Sequence, residues 1–228
     1  MTSPPNFNRL ARVYLGLEVA SFGPFLRLCR CAFLPALNSS RRALVLGDGD
    51  GRFTARLLRA CPNLTIDAVD ASSAMLQSLL RRARPHAPRV RTFLADIRRF
   101  QPPNPPYDLF VTHFFLDCLS TAEVQRLAAT LRNAAAPNAL WLVSEFAVPP
   151  GAFGRIVAAP LVRALYWAFA RLTGLTVRVL PDHRAALQQS GFTLQHERSH
   201  LAGLLVSQMW QANTRPPSPP SPPLLQPC

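Results

Sequence analysis

Three glycines, Gly47, Gly49 and Gly51, follow the apolar run Leu44-Val45-Leu46 and precede an amphipathic stretch. That order describes a buried strand breaking into a turn and then a helix. Glycine reaches backbone angles that other residues avoid, and it lets a ligand lie against the main chain. The next apolar runs also end in polar residues: Asp70, Asp96 and the pair Thr112-His113. Asp70 stands nineteen positions after Gly51, where a carboxylate can hold a pair of ribose hydroxyls. It could equally cap the helix that follows. His113, Asp117 and Glu145 are the candidate bases. Buried at a cleft, the two carboxyls would have raised pKa values and could accept a proton. Exposed or capped, all three would be inert.

These residues need a scaffold that brings strand ends together. The sequence predicts strands over Ala43–Leu46, Leu64–Val69, Val90–Ala95, Asp108–His113 and Ala139–Phe146. Helical patterns fall between them, including one over Thr121–Ala134 that opens with the capping box Ser120/Glu123. Pro181 is expected to start a further helix, closed by Gly191. Two last strands, Phe192–His196 and Leu204–Ala212, are joined by a short turn and must be antiparallel to each other. The expected fold is α/β: a Rossmann-like, doubly wound, seven-stranded and mostly parallel sheet with an antiparallel C-terminal strand pair and helices on both faces. Residues 1–41 are expected to form an N-terminal helical lid, with Phe7–Leu37 helical apart from a break at Gly23-Pro24. Residues 42–212 form the main domain, with a helical insertion at about 151–175, and 213–228 form a disordered tail with seven prolines.

Composition removes several function classes. All 25 basic residues are Arg, which excludes a Schiff-base lysine and a Walker-type phosphate loop. The net charge of +13 has no basic stripe with interleaved aromatics, so no nucleic-acid partner is expected. The five Cys are odd in number and irregularly spaced, and Cys29 and Cys31 flank a single Arg. No metal site is expected, and a reduced, cytoplasmic protein fits best. No secretory leader and no spanning segment is expected.

Leu44–Gly51 resembles motif I of the class I S-adenosylmethionine-dependent methyltransferases, G-x-G-x-G. Asp70–Leu76 resembles that family's acidic loop, Ala95-Asp96-Ile97 its adenine-binding loop, and Tyr107–Leu116 its strand-4 motif. Phe7–Ala11, with Tyr14 and Leu17-Glu18, is similar to the lead-in of the quinone-biosynthesis type. The resemblance runs from about Phe7 to Ala212. It implies S-adenosyl-L-methionine as cofactor and the following roles. Gly47, Gly49 and Gly51 admit its methionine part. Asp70 holds the ribose, and Ala71 and Met75 line the ribose and adenine side. Asp96 and the Ile97 amide meet the adenine. Thr112 and His113 lie near the sulfonium, and Tyr14 closes over the cofactor. Two positions depart from the family pattern: Val45 stands where the family has an acid, with Asp48 as a candidate substitute, and Asp117-Cys118 stand where two His are usual.

The implied reaction is methyl transfer to a small acceptor by in-line displacement, with His113 and then Asp117 as candidate bases. The apolar segments Phe7–Leu37 and Phe153–Leu175 suit a hydrophobic acceptor, and equally suit simple packing over the sheet. Arg155, Arg163 and Arg171 are compatible with a weak peripheral contact with an anionic membrane. No obligate protein partner is inferred. Arg52, where a dinucleotide fingerprint needs Gly, argues against a dehydrogenase. Two alternatives stay open: a binding or scaffold protein of the same fold with reduced catalysis, and an aminopropyltransferase, which would want paired acids after strand 4.

Overall fold

The computed structural model describes residues 22, 24–173 and 180–214, with backbone alone at 166 and 168–173. Tyr14, the expected helix before residue 22 and the proline-rich tail lie outside the described residues.

One seven-stranded sheet organises the chain. Its strands are β1 (Arg42–Leu46), β2 (Thr65–Asp70), β3 (Val90–Leu94), β4 (Tyr107–His113), β5 (Ala135–Phe146), β6 (Phe192–His200) and β7 (Leu205–Ala212). The order across the sheet is β3-β2-β1-β4-β5-β7-β6. β1 pairs in parallel with both β2 and β4, and β4 with β5, whereas β7 is antiparallel to both β5 and β6. The expected architecture is therefore present, with β7 alone reversed. The strand order turns back between β1 and β4, which is where ligands bind in open α/β sheets.

The helices are α1 (Phe25–Cys31), α2 (Arg52–Ala60), α3 (Ser73–Ala83), α4 (Thr121–Asn133), α5 (Ala159–Thr173) and α6 (His183–Gln189). Side chains along β1 and β4 alternate between two cores. Leu44, Leu46 and Phe110 pack with Trp141 and with Val124, Leu127 and Leu131 of α4. Ala43, Val45, Leu109 and Val111 pack on the other face, with Phe53, Leu57 and Leu58 of α2 and Leu79 of α3. A third cluster joins α1 to the start of α5 through Leu26, Cys29, Ala158 and Val162, over Leu204 and Leu205.

Three expectations on element boundaries need correction. The helix through Leu37 stops at Cys31, and Leu34–Leu37 is a 3-10 turn with Pro35 in its first turn. α6 starts at His183, not Pro181, because the side chain of Asp182 accepts a hydrogen bond from the Ala185 amide and caps it. β5 begins four residues early, at Ala135, paired with Tyr107 across an irregularity in register. The Ser120/Glu123 capping box is fully formed.

Candidate active site

The turn after β1 holds Gly47, Gly49 and Gly51 at φ +66°, +62° and +80°, all left-handed. They are glycine for different reasons. A Cβ on Gly47 would stand 2.2 Å from the ring of Phe115, and one on Gly51 would stand 2.6 Å from the Cα of Leu79 in α3. Those two positions are closed by the protein itself. A Cβ on Gly49 would meet only the Met75 sulfur, at 3.9 Å. Gly49 is thus the position where the turn leaves room against its backbone for something else.

Asp70 ends β2 beside that opening. Its carboxylate accepts from the Ser72 amide at 2.8 Å and also from the amides of Gly49 and Ala71. Burial, with Asp48 nearby, pushes its pKa up to about 6. The cap of α3 is Ser72, whose Oγ accepts from the Met75 amide, so Asp70 is released from the capping role left open for it. Asp96 and Ile97 follow β3, which is joined to β2 by the Ala95 amide donating to the Asp70 carbonyl at 3.1 Å. Asp96 accepts from the Arg98 amide at 3.0 Å, and Arg98 bridges on to Glu123 at 2.8 Å. Gly49, Asp70, Ala71, Met75, Asp96 and Ile97 therefore sit along the ends of three adjacent strands.

Asp48 bonds forward to the helix that follows the turn. Its Oδ2 accepts from the Thr54 amide at 2.9 Å and the Thr54 hydroxyl at 2.7 Å. That oxygen is committed to the first turn of α2, and burial raises the carboxyl's pKa. Val45 is buried under α2, leaving no carboxylate on β1 at that point.

The strand-4 residues divide between the two faces of the sheet. Thr112 is fully buried, and its hydroxyl accepts from the Trp141 indole N–H at 3.0 Å. Adjacent strand residues point to opposite faces, and the Thr112 side chain points into the core. His113 is on the α2 face, 5% exposed, edge-on to Phe53 with 4.4 Å between ring centroids. Neither of its ring nitrogens has a hydrogen-bond partner among the described residues. Burial, reinforced by the Arg30 guanidinium, drives its pKa well below the usual value, so the ring is neutral.

Asp117, in the 3-10 turn after β4, and Glu145, the penultimate residue of β5, form a separate acidic pair. Glu145 Oε1 accepts from the amides of Phe115 at 3.1 Å and Leu116 at 2.8 Å, which fixes the loop after β4. Its Oε2 is buried and has no partner among the described residues. Burial and the neighbouring Asp117 raise its pKa well above the carboxylate range. Burial also raises Asp117, to about 6. The sequence grouped His113 with Asp117, yet they face different sides of the sheet. It also gave no role to Phe114 and Phe115. Phe114 takes φ +54° directly after β4, which turns the Phe115 ring onto Gly47. A bulky residue in the left-handed region is rare and marks a position the surroundings over-determine. Among the described residues no group of His, Cys, Asp and Glu could hold a metal ion. No helix among them is long and apolar enough to cross a membrane.

Residues 43–138 match a family described as a methyltransferase domain. The chain is 32% identical over 114 residues to a malonyl-[acyl-carrier protein] O-methyltransferase of Halalkalibacterium halodurans, covering 49% of this chain and 41% of that one. It is 38% identical over 100 residues to the protein of the same name from Halorhodospira halophila, covering 42% and 34%. The matches thus span less than half the length of either relative. Among solved structures, a mitomycin 7-O-methyltransferase superposes with a TM-score of 0.68 at 16% identity, covering 91% of this chain and 60% of that one. The N-methyltransferase NodS of Bradyrhizobium japonicum superposes with a TM-score of 0.59 at 14% identity, covering 84% and 98%. At those identities the structural likeness concerns the fold. Residues 43–138 are thus similar to a methyltransferase domain, and the glycine turn and the strand-end acids Asp70 and Asp96 lie within that stretch.

Proposed function

We propose that the chain transfers a methyl group from S-adenosyl-L-methionine to a small acceptor with an apolar body, by in-line displacement. The observation that carries this reading is the opening in front of Gly49, bordered by the Asp70 carboxylate and the Met75 sulfur. The residues fit the cofactor: an adenosyl group needs a carboxylate for its ribose hydroxyls and backbone without side chains beside it. Asp70 would hold the ribose, Ala71 and Met75 would line it, and Asp96 with the Ile97 amide would meet the adenine. When bound, the cofactor supplies an electrophilic methyl group and a good, neutral leaving group.

The protein's own work is then alignment, exclusion of water and handling of one proton. Phe53 and Phe115 cover the two flanks of the glycine turn. Asp117 is the better proton acceptor. Part of its surface meets solvent although its carboxyl is desolvated, and with a pKa near 6 it is mostly ionised at neutral pH yet basic enough to take a proton. His113 is neutral but sealed behind Phe53, so it serves packing unless an acceptor reaches it. The apolar acceptor is supported by the outer face of the segment after β5, where Ile156 is 73% exposed and Trp167 63%. Arg155 and Arg163 are exposed on the same segment, which supports weak contact with an anionic membrane surface.

The test is titration of the full chain with S-adenosylhomocysteine, followed by its release from S-adenosylmethionine across a panel of apolar acceptors. Asp70→Asn should weaken binding by about 10- to 100-fold, the worth of hydrogen bonds to a charged acceptor. Asp117→Asn should flatten the rise of kcat/KM through about pH 6 while leaving binding intact. Absence of binding would end the reading. Binding without turnover on any acceptor would favour a cofactor-binding protein with reduced catalysis, a second reading that Val45 supports because β1 offers no acid there.

A further inference from the structure

The helical segment after β5 packs one face and leaves the other bare. A π turn, Gly154–Ala158, leads into α5. Gly154, Ala158 and Val162 are buried on the inner face. Ala158 and Val162 join Leu26 and Cys29 of α1 in one cluster, with Phe114 and Phe146 packed against it. On the outer face Phe153, Ile156, Val157, Leu161 and Trp167 are exposed, with exposed Pro160 and Ala164 between them. These positions recur every three or four residues, so they form a stripe along the helix. From 153 to 167 the stripe runs about 20 Å, at about 1.5 Å per residue. A helix that is apolar on both faces is ordinarily covered on both, and this one is covered on one.

Charge says what the second cover is. Arg155 and Arg163 are exposed on the same segment, and the sequence places no Asp or Glu between Glu145 and Asp182. Helix α1, packed against the start of α5, adds exposed Phe25 and Leu28. A second copy of this face would set Arg155 and Arg163 against their counterparts, with no acid in the segment to separate them. An anionic bilayer suits both features. Its acyl chains receive the stripe, its head groups attract the guanidiniums, and the arginine stems can lie along apolar surface while their heads stay in water. Trp167, with an apolar ring and a polar N–H, suits the boundary between the two.

We infer that residues 153–167 insert their outer stripe into the interface of an anionic bilayer. The inference rests on the weak membrane contact proposed above and deepens it to insertion at a named face, because contact through arginines alone needs no apolar stripe. Phe114 and Phe146, which pack against the inner face, stand at the ends of β4 and β5. Docking would therefore hold the candidate site about one helix diameter, roughly 10 Å, from the bilayer.

The full chain is sedimented at low salt with vesicles of mixed phosphatidylcholine and phosphatidylglycerol, and tryptophan emission is followed on the same samples. Trp167 is exposed whereas Trp141 and Trp210 are fully buried, so a blue shift reports on the stripe. Binding with a blue shift is expected, and Trp167→Phe should remove the shift while keeping most of the binding. Ile156→Ser/Leu161→Ser should lower the partition coefficient at least tenfold, and Arg163→Gln about fivefold. Leu80→Ser/Arg126→Gln, which makes like changes at exposed positions on α3 and α4, should match the wild type. Should the double stripe variant fail to fold, Ile156→Ser, at the most exposed position of the stripe, carries the same comparison. Binding without a blue shift, or equal partition of the stripe variant and the control, overturns insertion and leaves only adsorption by net charge. Absence of binding overturns the contact and the insertion together. So does a dimer in solution that the stripe variant abolishes while vesicles bind neither protein, since a second copy then covers the face. S-adenosylhomocysteine binding, measured without vesicles, is independent of these outcomes, and its absence sinks the methyltransferase reading alone.

Discussion

Replacing each motif glycine by Ala separates a ligand-facing position from two packing positions. At Gly49 the added methyl meets nothing nearer than the Met75 sulfur at 3.9 Å, so only the left-handed backbone is penalised. That costs about 1–2 kcal/mol. At Gly51 the same penalty applies, and the methyl would stand 2.6 Å from the Leu79 backbone. Helix α3 must shift, and overpacking of that kind costs about 1–3 kcal/mol more. Gly51→Ala should therefore lose about 2–5 kcal/mol. Gly47→Ala falls between, because its neighbour is the Phe115 ring, which can rotate away. Urea unfolding with and without S-adenosylhomocysteine measures both effects. At 100 times its Kd a ligand adds about 2.7 kcal/mol to stability. Gly49→Ala should fold well yet lose most of that gain, while Gly51→Ala should fold poorly and respond to ligand in proportion to what remains folded. Equal destabilisation of the two variants, or full ligand response in Gly49→Ala, would refute the division.

Two further outcomes follow from buried acids. Asp67 in β2 is 1% exposed and accepts from Tyr107 Oη at 2.6 Å, Asn104 Nδ2 at 3.0 Å and Arg91 Nε at 2.7 Å, so Asp67→Ala should cost about 3–5 kcal/mol in urea unfolding. Glu145 keeps its proton in the folded state to higher pH than in the unfolded chain; its contribution is full below about pH 4.5 and is lost as pH rises through the folded pKa, so Glu145→Gln should be the more stable protein at pH 8 relative to pH 5, and parallel pH profiles for the two proteins would contradict that.

The sheet was legible because parallel strands buried on both faces read as apolar runs, and because the polar residues that end them are few. Leu44–Gly51 and Tyr107–His113 have this form. The fate of individual side chains at the strand ends was not legible. Thr112 and His113 are adjacent in sequence, and only the register of β4 against β5 decides which of them enters the core beside Trp141. Asp48 looks like a ligand contact until Thr54 is seen to take its carboxylate. Phe115 had no signal at all, since its position depends on one left-handed residue, Phe114, after the strand.

The distribution of charge follows one logic. The chain has 25 Arg and 12 acids, so any carboxylate could have had a guanidinium beside it. Asp50, Asp67, Asp96 and Glu123 do. Asp70 and Glu145 have no salt bridge among the described residues, Asp48 feels only the field of Arg30, and burial raises all three. An Arg at those strand ends would return the carboxyls to their ordinary range, but it would also fill the opening before Gly49 and repel a sulfonium. Leaving the acids unpaired costs stability above their unfolded pKa values, and a cation arriving at the cleft recovers part of it by favouring their ionised forms.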